Sequence, residues 1–295
     1  MTTADAQRDQ GPVAVVPLHV LGTDVDLRLG GVEEDARTLE EAVRERWHLC
    51  LRDPDRAVSR DPDDPDHVRV VEAALMSDDQ VESSSAWDRG ETDVRDSDLR
   101  RLLQRLTQSV TFSVIGARSG ELLMLHAAAL AHPETGAAAA FVAPGNTGKT
   151  TLCRTLGPAL TYVSDETLGV RRDGTITPYP KPLSTRRPDW VGVKDEQAPG
   201  ELGLRSPAVE PWLAGIVLLR RETEHEGPPQ IEELDTLDAV MALTPESSAF
   251  MKTEGPLRWL ADVLERTGGA RAVEYAEAAD LAPLAEEICG RGSPW

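Results

Sequence analysis

The chain is short of positive charge and of long apolar runs. Its 295 residues carry 31 Lys and Arg against 51 Asp and Glu, so the formal net charge is −20. Nucleic acid phosphates and anionic lipid headgroups repel such a chain, and we therefore expect no nucleic acid partner and no membrane partner. The first ten residues are polar and no apolar run approaches the thickness of a bilayer, which favours a cytoplasmic location.

Cysteine is also scarce. Cys50, Cys153 and Cys289 are odd in number, far apart in sequence and not part of a CxxC pair. This spacing supports neither a disulfide framework nor a structural zinc site. A reducing compartment is consistent with both exclusions.

One of only four lysines lies in the segment APGNTGKTT, residues 143–151, between an apolar run and a helix-like stretch. In a strand, loop and helix context, glycines let backbone N–H groups turn around phosphate oxygens, and the helix N-terminus adds further donors. Lys149 would reach the β- and γ-phosphates of ATP, and the hydroxyl of Thr150 would hold Mg²⁺. The residues predicted to contact the nucleotide are Gly145, Asn146, Thr147, Gly148, Lys149, Thr150 and Thr151.

The match is incomplete, because Ala143 stands where the GxxxxGK[ST] pattern has its first glycine. An ordinary glycine-rich turn between a strand and a helix is the alternative interpretation.

The two halves of the chain differ in pattern. Residues 1–115 contain strand-like segments, two acidic loop-like stretches at 52–66 and 77–98, and leucines at helical spacing after residue 98. Residues 116–295 alternate apolar strands with helices, which predicts α/β layers around a sheet. We therefore predict an N-terminal α+β domain over 1–115 and a phosphate-loop α/β domain over 116–295.

Phosphoryl transfer also needs a metal partner and a group that handles the acceptor proton. Asp165 and Glu166 follow the apolar run after the loop helix, and adjacent residues on an extended chain point to opposite sides. One would face the transferred phosphoryl group and the other would bind the metal, although an acid pair in a turn is the alternative. His126 interrupts an apolar strand and is a second catalytic candidate, with a buried structural histidine as its alternative.

Lys181, Arg186 and Arg187 form the main local concentration of positive charge near these motifs. They are candidates to bind a phosphorylated product or an acidic peptide. An arginine-rich loop that balances nearby acids explains them equally well.

Four sequence blocks, LHAAALA, APGNTGKTTL, YVSDETLGV and ITPYPKPLS, resemble the bacterial HPr kinase/phosphorylase family and its smaller stand-alone relatives over residues 120–190. The resemblance implies a phosphate-loop fold related to phosphoenolpyruvate carboxykinase. It also implies that His126 lies in the active site, that Asp165 acts as base toward a serine hydroxyl, and that Glu166 helps to hold the metal. The chain lacks the family's Arg-Pro-Gly loop, and its first half does not resemble the family's N-terminal domain.

Together these features predict a kinase that uses ATP and Mg²⁺ to phosphorylate a serine-type hydroxyl of a peptide or protein. The first half would recognise the acceptor, and the family's hexamers make a homo-oligomer an expectation by analogy. Two alternatives remain open: a nucleotide-binding regulatory or scaffold protein without transfer, and a kinase for a small molecule such as free serine.

Overall fold

The structure, a computed structural model, describes residues 12–83 and 92–292, and the chain divides into two compact units. The first unit comprises residues 1–117 and 181–198, and the second comprises 118–180 and 199–295. The first break lies two residues after the predicted domain boundary. The segment 181–198, which the sequence places in the second domain, belongs to the first unit. The polar N-terminal segment and part of the second acidic stretch lie outside the described residues.

The first unit contains a four-stranded sheet in the order β1-β2-β3-β4. β1 and β2 are antiparallel, whereas β2, β3 and β4 are mutually parallel neighbours. Leu21 and Gly22 form the two-residue turn between β1 and β2 with φ values of 49° and 70°, as tight hairpin turns require. The strands are β1 (Ala14–Val20), β2 (Thr23–Gly30), β3 (Arg69–Leu75) and β4 (Asp93–Asp96).

In its described residues, the first unit has three α-helices: α1 (Glu33–Arg46), α2 (Asp78–Ser83) and α3 (Leu99–Ala117). α1 has three acidic residues in its first turn, where they suit the positive end of the helix dipole. α3 matches the predicted leucine-rich helix and buries its leucine face. It also contacts a small hairpin formed by β10 (Leu183–Arg186) and β11 (Lys194–Gln197).

The acidic stretch 52–66, predicted to be an exposed loop, is attached to strand β2 by ion pairs. Arg52 and Arg60 contact the buried carboxylate of Asp26 at 2.8 and 3.0 Å. Arg56 contacts Asp24 at 3.1 Å. Arginines spaced four residues apart thus hold a segment that has few apolar anchors.

The second unit contains a nine-stranded sheet. Its main strand order is β13-β15-β12-β6-β5-β8-β9, and both β7 and β14 pair with β5. β6, β12 and β15 are parallel neighbours, whereas the pairs on either side are antiparallel. The strands are β5 (Leu123–Ala131), β6 (Ala137–Val142), β7 (Thr161–Ser164), β8 (Thr167–Val170), β9 (Ile176–Thr177), β12 (Trp212–Arg221), β13 (Gln230–Leu234), β14 (Ser247–Ser248) and β15 (Ala270–Tyr275).

Four helices accompany this sheet: α4 (Lys149–Leu156), α5 (Thr236–Leu243), α6 (Pro256–Thr267) and α7 (Ala282–Cys289). Small side chains on the central strands let helices approach closely. At Gly215 on β12, an added Cβ would lie 2.8 Å from Cγ2 of Ile288 on α7. Within the described part of the chain, each helix falls short of the length and apolar character needed to cross a bilayer. The second unit is therefore a mixed α/β assembly, as the sequence predicts.

The three cysteines are free and buried. Burial raises the pKa of the Cys50 thiol well above its usual value and raises that of Cys289 to about 11. The thiols of Cys153 and Cys289 each donate to a backbone carbonyl at 3.6 Å. In these positions the three residues contribute packing rather than a reactive thiolate.

Candidate active site

The glycine-rich loop, residues 143–150, connects the end of β6 to the first turn of α4. Asn146 and Gly148 have φ values of 69° and 105°, so the backbone reverses its curvature twice within the loop. Gly148 is the N-cap of α4 and no side chain caps the helix there. The hydroxyl of Thr147 donates to the carbonyl of Pro144 at 2.9 Å and closes the turn. This is the strand, loop and helix arrangement in which main-chain amides can surround an anion.

Lys149 lies largely inside the loop, with 6% of its surface exposed. Its Nζ donates to the carbonyl oxygens of Ala143 and Pro144 at 2.5 and 3.0 Å. Burial lowers the pKa of Lys149 to about 8, while the negative charges of Glu246, Asp165 and Glu166 act in the opposite direction. The ammonium group is therefore close enough to three carboxylates to interact with each of them.

Asp165 is buried at the end of β7 and its carboxylate is bonded on both oxygens. Oδ2 accepts a hydrogen bond from the hydroxyl of Thr150 at 3.0 Å, and Oδ1 accepts one from the hydroxyl of Tyr162 at 3.1 Å. The side chain thus joins the first turn of α4 to the strand behind it. The structure brings together two residues, Thr150 and Asp165, that the sequence analysis selected separately.

Glu166, the second acid of the pair, is partly exposed. Its N–H donates to the hydroxyl of Ser164 at 3.3 Å, and its carbonyl accepts from the N–H of Ala127 at 3.1 Å. These main-chain bonds fix the residue between β7 and β5. Its carboxylate contributes to the negative charge around Lys149.

His126 lies in β5 and pairs with Glu246, a residue that the sequence analysis did not select. Nδ1 of His126 is 3.1 Å from Oε2 of Glu246, and the N–H of His126 donates to the carbonyl of Glu246 at 2.7 Å. Glu246 lies just after α5 and directly before β14, which pairs with β5. The pairing of β14 with β5 thus brings the glutamate beside the histidine.

Two further residues reach the glycine-rich loop from the ends of parallel strands. The hydroxyl of Tyr275, on β15, donates to the carbonyl of Thr147 at 3.3 Å, and burial raises the pKa of this tyrosine. Arg221, at the end of β12, lies near Gly148, where an added Cβ would be 3.7 Å from its Cδ. The carboxyl ends of parallel strands meet at one edge of a sheet, which is the only signal by which the sequence could have indicated these two residues.

The three basic candidates belong to the first unit. Lys181 is buried and its Nζ donates to the carbonyl of Pro182 at 3.1 Å. Arg186 is exposed at the end of β10, and Arg187 is paired with Asp195 at 2.6 Å. Of the three candidates, only the two arginines present substantial surface to solvent.

The donor set beside α4 fits Mg²⁺. Thr150 and Asp165 supply a hydroxyl and a carboxylate that already touch, and Mg²⁺ prefers such hard oxygen ligands. Within residues 12–83 and 92–292, no group of three or more His, Cys, Asp or Glu side chains is arranged to hold a metal. A site of one hydroxyl and one carboxylate corresponds to the case in which nucleotide phosphates and water complete the coordination.

Comparisons with known proteins give similarities to solved structures but none to a family model or a curated protein. A solved structure of the Hpr(Ser) kinase/phosphatase from Coxiella burnetii is similar at 12% identity and a TM-score of 0.26, covering 56% of this chain and 92% of that one. Similarity at this level is distant and does not by itself establish a shared fold or a shared activity.

Proposed function

We propose that this protein is a kinase that uses ATP and Mg²⁺ to phosphorylate a serine-type hydroxyl of a peptide or protein. The observation that carries the proposal is the contact of Thr150 with Asp165 at the base of a loop that also holds Lys149. A hydroxyl, a carboxylate and an ammonium group on one strand, loop and helix unit are the parts from which phosphate-loop kinases are built. The serine-type acceptor rests on the resemblance of residues 120–190.

The chain's own groups have distinct tasks in this proposal. The main-chain amides of the glycine-rich loop bind the phosphate oxygens, together with the N-terminus of α4. Lys149 exchanges the carbonyl oxygens of Ala143 and Pro144 for phosphate oxygens, which its flexible stem permits. We assign the metal to Thr150 and Asp165, whose side chains touch, instead of to Thr150 and Glu166 as the resemblance implies. Mg²⁺ when bound would neutralise negative charge on the phosphates. Most of the rate enhancement then comes from positioning and from charge compensation.

The first experiment tests nucleotide binding and turnover. Isothermal titration with MgATP and a phosphate-release assay are applied to the wild type, to Lys149→Ala and to Lys252→Ala. Lys252 is exposed in the same unit and provides the matched lysine control. We expect Lys149→Ala to lose turnover by at least about 100-fold, because it removes a charge that is present at the transferred group. Equal binding and turnover in all three proteins would contradict the proposal.

The second experiment identifies the acceptor class with ATP labelled on its γ-phosphate. The probes are a library of serine-containing peptides, free serine, and buffer alone. Label in peptides supports the proposal. Label in free serine instead would establish the small-molecule kinase, and tight MgATP binding without transfer to any probe would establish a nucleotide-binding regulatory protein.

A further inference from the structure

His126 and Glu246 are held together at two points. The main-chain N–H of His126 donates to the carbonyl of Glu246 at 2.7 Å, and Nδ1 lies 3.1 Å from Oε2. A carboxylate can only accept hydrogen bonds, so Nδ1 carries the proton in this pair. With Nδ1 protonated, Nε2 of the neutral ring is the atom that can accept a proton.

The pair is adjacent to the glycine-rich loop. The carbonyl of His126 accepts from the N–H of Ala143 at 3.4 Å, and the carbonyl of Ala143 accepts from Nζ of Lys149. Among the carboxylates whose negative charge raises the pKa of Lys149, Glu246 has the largest effect. The imidazole and its carboxylate thus share a site with the group that would bind the γ-phosphate.

Asp165, the base that the family resemblance suggests, is assigned to the metal in the proposed function. Both of its oxygens accept hydrogen bonds, one from Thr150 and one from Tyr162. An aspartate bonded to the loop threonine is in the position of a metal-side ligand. The acceptor proton therefore needs another group.

From this geometry we infer that His126 is the base for the acceptor hydroxyl and that Glu246 is the positioning residue that keeps its Nε2 free to act. This inference rests on the proposed kinase function. In the transfer step the acceptor O–H bond breaks and its proton moves to Nε2. The acceptor oxygen forms a bond to the γ-phosphorus, and the bond between the γ-phosphorus and its bridging oxygen breaks, with the electron pair leaving on ADP. Glu246 stabilises the imidazolium that results.

The activity test uses MgATP turnover with water as the acceptor, since water needs the same proton removal. We expect His126→Ala to reduce the rate by at least about 100-fold, while the affinity for MgATP changes by less than about 3-fold. We expect added imidazole to raise the turnover rate of His126→Ala by at least about 10-fold, because it replaces the missing base. Imidazole has no effect on Lys149→Ala. His19→Ala is the control, since the side chains of His19 and His126 are both 34% exposed and His19 also contacts a carboxylate, Asp24, at 2.8 Å.

The positioning role of Glu246 is tested with two substitutions. Glu246→Gln retains an oxygen that accepts from Nδ1, whereas Glu246→Ala does not. We expect Glu246→Ala to lose about 10- to 100-fold in turnover and Glu246→Gln to lose less, with MgATP affinity kept in both. Glu274→Ala is the matched control, because Glu274 contacts His225 at 3.4 Å in the same unit.

Long-range ¹H–¹⁵N spectra of the histidine rings give a readout that does not depend on turnover. The His126 resonance is assigned by its loss in His126→Ala. The pH is raised until the ring resonances no longer change, so that the ring is neutral. Under that condition we expect the Nδ1-protonated ring in the wild type and in Glu246→Gln. Glu246→Ala should lose that preference.

The outcomes separate the two proposals. If His126→Ala keeps normal turnover, whatever Glu246→Ala does, the inference is overturned and the kinase proposal stands. An Nε2-protonated His126 in the wild type also overturns it. Absence of MgATP binding in the wild type would instead overturn the kinase proposal, and the inference with it.

Discussion

The hydroxyl of Thr150 donates a hydrogen bond to Oδ2 of Asp165 at 3.0 Å. The contact joins the first turn of α4 to the end of β7, the next element along the chain. Fifteen residues separate the two side chains in sequence. A hydroxyl and a carboxylate placed in contact at a helix N-terminus provide a compact pair of oxygen ligands.

Removal of the Thr150 hydroxyl should weaken the dependence of nucleotide binding on Mg²⁺. We expect Thr150→Val to raise the Mg²⁺ concentration at half-saturation by about 10- to 100-fold, because it removes one ligand and releases Asp165. A fluorescent ATP analogue titrated with Mg²⁺ measures this value. Thr155→Val, at an exposed position on the same helix, is the control. An unchanged Mg²⁺ midpoint in Thr150→Val would rule out the metal role of this pair.

Nucleotide binding should take up a proton on Lys149. Burial lowers the pKa of this lysine to about 8, so at pH 8 the Lys149 side chain is protonated in about half of the nucleotide-free molecules. Phosphate oxygens stabilise the charged ammonium and raise its pKa, so binding completes the protonation. We expect uptake of about half a proton at pH 8 and very little at about pH 6.5.

Calorimetric titrations in buffers of different ionisation enthalpy count these protons. Lys149→Arg is the control, because an arginine stays charged throughout this pH range and should abolish the uptake. Equal uptake at both pH values in the wild type would show that another group is responsible.

Gly148→Ala should destabilise the second unit through the backbone. The residue has a φ of 105°, whereas the nearest atom to an added Cβ is 3.7 Å away, so the cost comes from conformation and not from a clash. We expect a loss of about 1–3 kcal/mol in the free energy of unfolding. Gly145→Ala, where φ is not positive and no atom lies within 4 Å, should change stability by less than about 1 kcal/mol. Similar denaturant midpoints for the two variants would contradict this reading of the loop.

The buried pair of Asp26 and Arg52 should matter far more to stability than the exposed pair of Glu33 and Arg37. The side chains of the first pair are 4% and 10% exposed, and those of the second are 69% and 70% exposed. Asp26→Asn leaves a buried guanidinium without its counter-charge and should cost about 3–5 kcal/mol. Glu33→Gln should cost less than about 1 kcal/mol. Urea unfolding of both variants provides the comparison, and a small loss for Asp26→Asn would show that the segment 52–66 contributes little.

The local part of the site follows from sequence because its chemistry is contained in a short window. The run of small and apolar residues before Ala143, the glycines and the start of a helix at Lys149 all lie within about fifteen residues, and each has its own conformational signal. Asp165 could be selected because it follows the next apolar run. The expectation for the loop-forming elements agrees with β6 and α4 as observed.

The remaining site residues have no such signal. Glu246 is 120 positions from His126, and Tyr275 is 128 positions from Thr147. Their contacts depend on the pairing of β14 with β5 and on the parallel order β6-β12-β15. Strand order of this kind is set by long-range packing, which a single sequence does not encode in any local pattern.

The lack of a local sequence signal also explains why the attachment of the segment 52–66 to β2 could not be predicted. Its composition indicates an exposed loop, and the chain does run there without a helix or strand. Its attachment depends on Asp24 and Asp26, which occupy alternate positions of β2 and look like surface residues of a half-exposed strand. The pattern of one strand cannot reveal that arginines some thirty positions later cover its polar face.

The hydrogen bond from the hydroxyl of Tyr275 to the carbonyl of Thr147 has a consequence for biosynthesis. β6 leaves the ribosome long before β12, which pairs with it, and before β15, which pairs with β12. A nascent chain that stops short of β15 therefore still has an exposed strand edge in this sheet. A translating ribosome therefore carries the glycine-rich segment for well over a hundred codons before the tyrosine that braces it has been made. Throughout that interval, the half-built sheet needs protection from neighbouring chains.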